Sequence, residues 1–182
     1  MGMASLVFLI LVAQKALVYS DPSFGIQLYT RPLNNPDGWW KIAEEKDDET
    51  GMVFVTFESG SFLGSGILKA KLVYGIIPGL GNLPDPPRHL LDNYIAQFKG
   101  KDVQFDEVVR KNVAGLTSCQ INMWGNIDGA EGIVRFIFLN WRDKAIIIVF
   151  GKDNVASFNT DDIKKMDDFT GGLEIRFDYD DY

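Results

Sequence analysis

The last third of the chain holds three apolar runs of strand length, residues 117–124, 132–139 and 145–150, whose connectors are very short. Gly125-Asn126-Ile127-Asp128-Gly129 joins the first pair and Asn140-Trp141-Arg142-Asp143-Lys144 the second. A parallel crossover needs about a dozen residues or more, so these connectors leave only an antiparallel meander. In the middle run Ile133, Ile137 and Leu139 fall on one face, and Val134, Phe136 and Phe138 on the other. Strands apolar on both faces are usually covered on both. Helices are therefore expected on either side of this sheet, and its loops, not its faces, are the expected docking surfaces.

The segments before the meander supply further strands and one helix. Phe24, Ile26 and Leu28 alternate with Gly25, Gln27 and Tyr29 and stop at Arg31-Pro32, which predicts a short strand. Asn34-Asn35-Pro36-Asp37-Gly38 is a turn by composition. The charged stretch 44–51 predicts an exposed hairpin tip, because burying so many charges is prohibitive. Residues 52–57, rich in β-branched and aromatic side chains, predict the strand that follows. Residues 67–77 fit a strand or a short helix, with the alternation over 68–72 favouring strand, and 78–87 read as a Pro-rich loop. Asp85 is placed to cap a helix, with Pro86 where a missing N–H costs nothing. Leu90, Leu91, Tyr94, Ile95 and Phe98 form the apolar face of that helix, up to Gly100. Residues 105–113 fit helix or strand. After the meander Thr160 is expected to cap a second helix, with Asp161 and Asp162 in its first turn and Ile163, Met166 and Phe169 inward. Gly171-Gly172 end it before a last strand over 173–177 and an acidic tail over 178–182.

At the N-terminus the continuous apolar part, residues 6–13, is shorter than the roughly 20 residues that cross a bilayer. Val18-Tyr19-Ser20 offers a small residue before Asp21, so residues 1–20 read as a signal peptide and 21–182 as a single α+β domain. A core strand or an amphipathic anchor is the alternative for the same stretch. The expected location is secreted, periplasmic or the lumen of an organelle, with no stable membrane span.

Charge and residue counts remove several function classes. The 18 Lys+Arg against 25 Asp+Glu give a net charge of −7, and no stretch supplies the basic stripe of a nucleic-acid binder. With one Cys and one His there is no internal disulfide and no four-ligand zinc site. A Cys-His or Ser-His enzyme could use only His89 as base, yet Cys119 reads as a buried strand thiol and His89 as a surface imidazole. The glycines at 64–66 and 79–81 lack the spacing of nucleotide-binding loops, and Ser59-Gly60-Ser61 lacks that of a nucleophile elbow. The acidic clusters 44–49 and 178–181 lack the ligand spacing of a calcium loop and read as solvated charge. No catalytic residue, metal or cofactor is therefore expected. Trp141 beside Arg142 in a predicted turn is the pairing typical of interface anchors. The alternative is an indole folded back over the sheet edge.

From Val113-Ala114-Gly115-Leu116 through Leu173-Glu174-Ile175 the chain runs through a meander, a closing helix and a short last strand. With the earlier strand pair and helical excursion, this order resembles the PsbP-like superfamily, which includes the photosystem-associated PsbP subunit and the Ran-binding Mog proteins. The resemblance implies an α/β/α sandwich whose members act mainly as non-catalytic binding or assembly modules, and it carries over no site residue. The expectation is thus an α+β sandwich, an antiparallel sheet with helices on its faces. Its expected role is an exported, non-enzymatic accessory module that meets a protein partner through Trp141 and Arg142. A carboxylate-dependent hydrolase would require a concavity lined by two acids. A small-ligand carrier would require an apolar cavity between sheet and helices.

Overall fold

The computed structural model describes residues 15–31, 38–60, 67–99, 101–127 and 129–176. Among them β1 (Ala16–Asp21), β2 (Ile26–Thr30), β3 (Trp39–Lys46), β4 (Val53–Ser59) and β5 (Lys69–Ile76) precede the first helix, α1 (Pro86–Ala96). Then come β6 (Val103–Phe105), β7 (Val109–Val113), β8 (Leu116–Ile127), β9 (Ala130–Trp141), β10 (Lys144–Asp153), α2 (Thr160–Thr170) and β11 (Leu173–Ile175). The larger sheet runs β3-β4-β5-β10-β9-β8-β6, with β7 also paired to β8; the smaller runs β1-β2-β11. Every pairing is antiparallel.

The meander is present and longer than its apolar runs. Gly125, Asn126 and Ile127, expected in a connector, continue the ladder opposite Gly132, Glu131 and Ala130. At the other end Asn140 and Trp141 stay in β9, leaving Arg142 and Asp143 as a two-residue turn. The charged hairpin is likewise tighter than the stretch 44–51, because β3 pairs with β4 as far as Lys46 opposite Val53. The ambiguous stretch 105–113 resolves into the two short strands β6 and β7, both laid on β8.

Alternation along these strands builds a core on each face of the large sheet. On one face α1 packs Leu91 against Cys119, Ile121, Met123, Phe136 and Phe138, with the Tyr94 ring 4.4 Å from that of Phe136. Asp85 caps α1 by accepting from the Arg88 N–H, as its position predicts, whereas Gly100 lies outside the described residues. The other face is covered differently from the expectation of helices alone. The small sheet contributes Tyr19, Ile26, Leu28 and Leu173, and α2 contributes Met166 and Phe169. Phe169 packs edge-on at 5.0 Å from Trp39, 5.3 Å from Phe57 and 5.4 Å from Phe150. Asn159, not Thr160, caps α2: its side chain accepts from the Asp162 N–H while Asp162 accepts from the Asn159 N–H. An amide at this position supplies the acceptor directly, so Thr160 becomes the first helical residue.

Residues 1–14 lie outside the described set, but part of the expected targeting segment is in the fold. Tyr19 is 5% exposed, and β1 pairs with β2 over its whole length, so a cut before Asp21 would remove a core strand. Tyr19 also anchors a polar seam between the sheets. Its hydroxyl lies 2.6 Å from that of Tyr74, and Tyr74 donates to Asp21 Oδ2 at 2.7 Å. Tyr19 also donates to Glu44 Oε1 at 3.3 Å, so the two phenols and two carboxylates share the protons of one chain of hydrogen bonds. Burial, chiefly, pushes Tyr19 up to about 12 and lifts Tyr74 well above the usual phenol range.

Candidate functional site

The β9–β10 turn carries the two residues that the sequence singles out, and the structure places them unequally. Trp141 ends β9 and is half-buried, not perched at a loop tip; Arg142 opens the turn and is exposed. Arg142 takes a left-handed conformation, φ 51°, which a two-residue hairpin turn needs at its first position. That geometry brings its guanidinium to 5.7 Å from the Trp141 ring centroid. Asn140 Nδ2 donates to the Arg142 carbonyl at 3.0 Å, bracing the bend from the strand side.

Asp143 ties the same turn to the loop between β5 and α1. Its carboxylate accepts from the Gly81 N–H at 2.9 Å and the Gly79 N–H at 3.1 Å. These two donors hold the Asp143 carboxyl below its usual range. Its carbonyl takes the Ile77 N–H at 2.8 Å. Gly81 passes so close that a Cβ there would sit 2.9 Å from the Arg142 backbone. Two chain segments are thereby fixed as one rigid corner.

Register sets what stands beside it. Lys144 is opposite Trp141 on β9 and Ile76 on β5, so the three side chains form one row on one face. Ile76 is 60% exposed, and Lys144 Nζ lies 5.2 Å from the Phe24 ring. The corner therefore offers an indole under a guanidinium, an open aliphatic side chain, and a cation over a phenyl ring. Ile76 has no motif; its sequence signal is an apolar residue that continues a strand one step beyond its pairing core.

Elsewhere the structure places the other residues that the sequence weighed for chemistry. Cys119 is buried and free, and burial lifts its thiol above the usual value. His89 is exposed, its Nε2 2.9 Å from Asn93 Nδ2. Among the described residues no cluster of His, Cys, Asp or Glu is arranged to hold a metal ion, and no helix is long and apolar enough to cross a membrane. Two acids, Asp106 and Glu107, do line a concavity beside β8. Asp106 spends both oxygens on Asn122, at 2.8 Å from its N–H and 2.6 Å from Nδ2.

No protein-family model matches the chain, and no curated protein does. Solved structures match at the level of the fold. Cyanobacterial PsbP (CyanoP) from Synechocystis superposes with a TM-score of 0.54 at 16% identity, over 96% of this chain and 98% of that one. LpqN of Mycobacterium tuberculosis, involved in cell envelope biogenesis, gives 0.51 at 14% identity over 90% and 91%. A Bacteroides thetaiotaomicron protein gives 0.51 at 12% identity over 93% of this chain, which spans about half, 51%, of its length. The order of strands and the helix-plus-sheet covering of the meander are thus those of a known architecture: this chain has a PsbP-like, α+β sandwich fold.

Proposed function

We propose that the protein is an exported, non-enzymatic accessory module that docks a protein partner at the corner formed by Trp141 and Arg142. The observation that carries this reading is the fixed geometry of the corner: Asp143 bonds it to the β5–α1 loop while Arg142 covers the Trp141 ring. A surface already ordered loses little freedom when a partner arrives, and aromatic–arginine pairs are the side chains that most often dominate such contacts. LpqN shares the fold and is involved in cell envelope biogenesis, which supports an assembly role beyond the cytoplasm. Export then requires a leader that ends before Ala16, because β1 belongs to the core.

Two measurements test this. Mass spectrometry of the protein recovered from its native source should show a new N-terminus no later than Ala16 and an exported fraction; an intact Met1 with none exported refutes the export half, and a mature chain beginning at Asp21 overturns the leader boundary. Wild type and the Trp141→Ala/Arg142→Ala variant should be compared as baits in the native compartment. Proteins retained by the first and lost by the second support docking at the corner, and identical sets for both refute it.

A further inference from the structure

Arg135 interrupts the apolar run of β9 on the face that α2 and the small sheet cover. It stands opposite Phe150 on β10 and Asn122 on β8. A half-buried guanidinium has to find acceptors for its donors, and burial pulls this one below its usual range. Among the described residues only Nε is bonded, at 2.8 Å to Asn122 Oδ1. Asn122 is itself pinned by Asp106 through its Nδ2 and backbone N–H, which turns its amide oxygen toward Arg135. The Phe158 ring lies 5.5 Å from the guanidinium carbon. Among the described residues no carboxylate pairs with Arg135 or with Lys111 nearby.

Arg135, Lys111 and Gln120 line two adjoining concavities, which share these three residues. One, about 80 Å³, reaches Glu107; the other, about 110 Å³, runs along Ile137 and Met166 to Asp167 in α2. Two cations thus lie at the middle, with Asp106 and Glu107 at one end and Asp167 at the other. A dianion would be repelled from the ends, whereas a single planar carboxylate matches the forked donors of an arginine. An ammonium group joined to that carboxylate would find Asp167, and the apolar wall would accept a short aliphatic chain.

We propose that this groove binds a free aliphatic α-amino acid, with its carboxylate on Arg135 and Lys111, its ammonium toward Asp167 and its side chain on Ile137 and Met166. The site is independent of the docking corner. The test is an NMR titration of the full chain with L-leucine, 4-methylpentanoate (leucine without its ammonium) and inorganic phosphate. L-leucine should shift the amides around Gln120, Arg135 and Asp167 and saturate. Arg135→Gln should weaken it at least about tenfold, the usual scale for losing a charge-assisted pair. Asp167→Asn should weaken leucine while leaving 4-methylpentanoate unchanged. Saturation by 4-methylpentanoate at the same concentration as leucine, preference for phosphate, or shifts confined to other regions would each overturn the proposal. If Arg135→Gln melts early, Arg135→Lys and Asp167→Asn give the same discrimination in a folded chain.

Discussion

Lys152 Nζ lies 2.8 Å and 2.9 Å from the two carboxylate oxygens of Asp162, with both side chains almost entirely out of solvent. The same carboxylate closes the capping box of α2, accepting the Asn159 N–H at 3.0 Å. One acid therefore joins β10 to the start of α2. Asp162→Asn keeps a capping acceptor but leaves the ammonium without its counter-charge, so it should cost roughly 3 kcal/mol, as when one partner of a buried pair is removed. Adding Lys152→Met should recover part of that loss. Denaturant midpoints check both; a double variant no better than the single would show that the charge is not what Asp162→Asn exposes.

At the proposed docking corner, Arg142→Gly keeps the left-handed backbone and removes the cation, whereas Trp141→Ala removes a half-buried indole. The double alanine variant should weaken partner binding by about 2 kcal/mol. Its stability should fall by about 1 kcal/mol, the typical scale for a single substitution and more than an exposed site gives. Arg142→Gly should lose binding with no loss of stability, since glycine adopts positive φ freely. Equal binding by Arg142→Gly and wild type would remove the guanidinium from the interface.

Asp143 makes the corner sensitive to acid. Its folded carboxyl titrates below the ordinary value because two backbone N–H groups hold the charged form. The hydrogen bonds are complete above about pH 3.9, the unfolded value, and are lost as pH falls through the lower folded one. The amide resonances of Gly79 and Gly81 should therefore move together, with a midpoint below that value. Independent midpoints for the two glycines would show that one carboxylate does not serve both.

The seam between the sheets should fail at the opposite end of the scale. Tyr19 ionises only near 12 in the folded protein, through burial first, and Tyr74 is raised as well. Unfolded tyrosines ionise near 10, so stability is complete below about pH 10 and drains away as pH rises through 12. Tyr19→Phe should shrink this alkaline loss in pH-dependent melting curves, although it removes a hydrogen bond at neutral pH. An unchanged alkaline limb would place its cause elsewhere.

Gly172 carries the tightest packing of the α2–β11 link. A Cβ there would fall on the Tyr29 carbonyl, while the Gly172 carbonyl accepts the Tyr29 N–H at 2.8 Å. Gly172→Ala must push β2 and α2 apart and should cost about 2 kcal/mol, a typical overpacking penalty. Gly151→Ala, whose Cβ would meet Val134 at an ordinary 3.9 Å, is the control and should cost far less.

Local patterns show in the sequence where one element decides its own conformation. The meander, the α1 cap at Asp85 and the strand over Lys69–Ile76 follow from alternation, spacing and turn chemistry that neighbours reinforce. Strand β1 does not: an apolar stretch ending in Val18-Tyr19-Ser20 serves a leader or a core strand equally well, and only its pairing with Ile26–Thr30 separates them. The Trp141–Arg142 corner is half visible, since the two residues adjoin, whereas Ile76 reaches them only through register. The Arg135 groove has one sequence signal, a cation at an inward position between Ile133 and Ile137. Its companions Lys111, Gln120 and Asp167 come from three separate elements, which no spacing rule connects.

Strand β2 lies between β1 and β11, so the first and last described strands are its two neighbours. Leu28 meets Leu173 across that pairing, at a separation approaching the full length of the sandwich domain. On a ribosome the β1–β2 hairpin must therefore wait, half paired and with one edge bare, until α2 and β11 have emerged. Contacts this distant in sequence form slowly, and an open strand edge invites pairing with another chain in the interval. Synthesis speed, or a chaperone that covers β2, then governs yield, and truncations just before Leu173 should accumulate as aggregates rather than as folded protein.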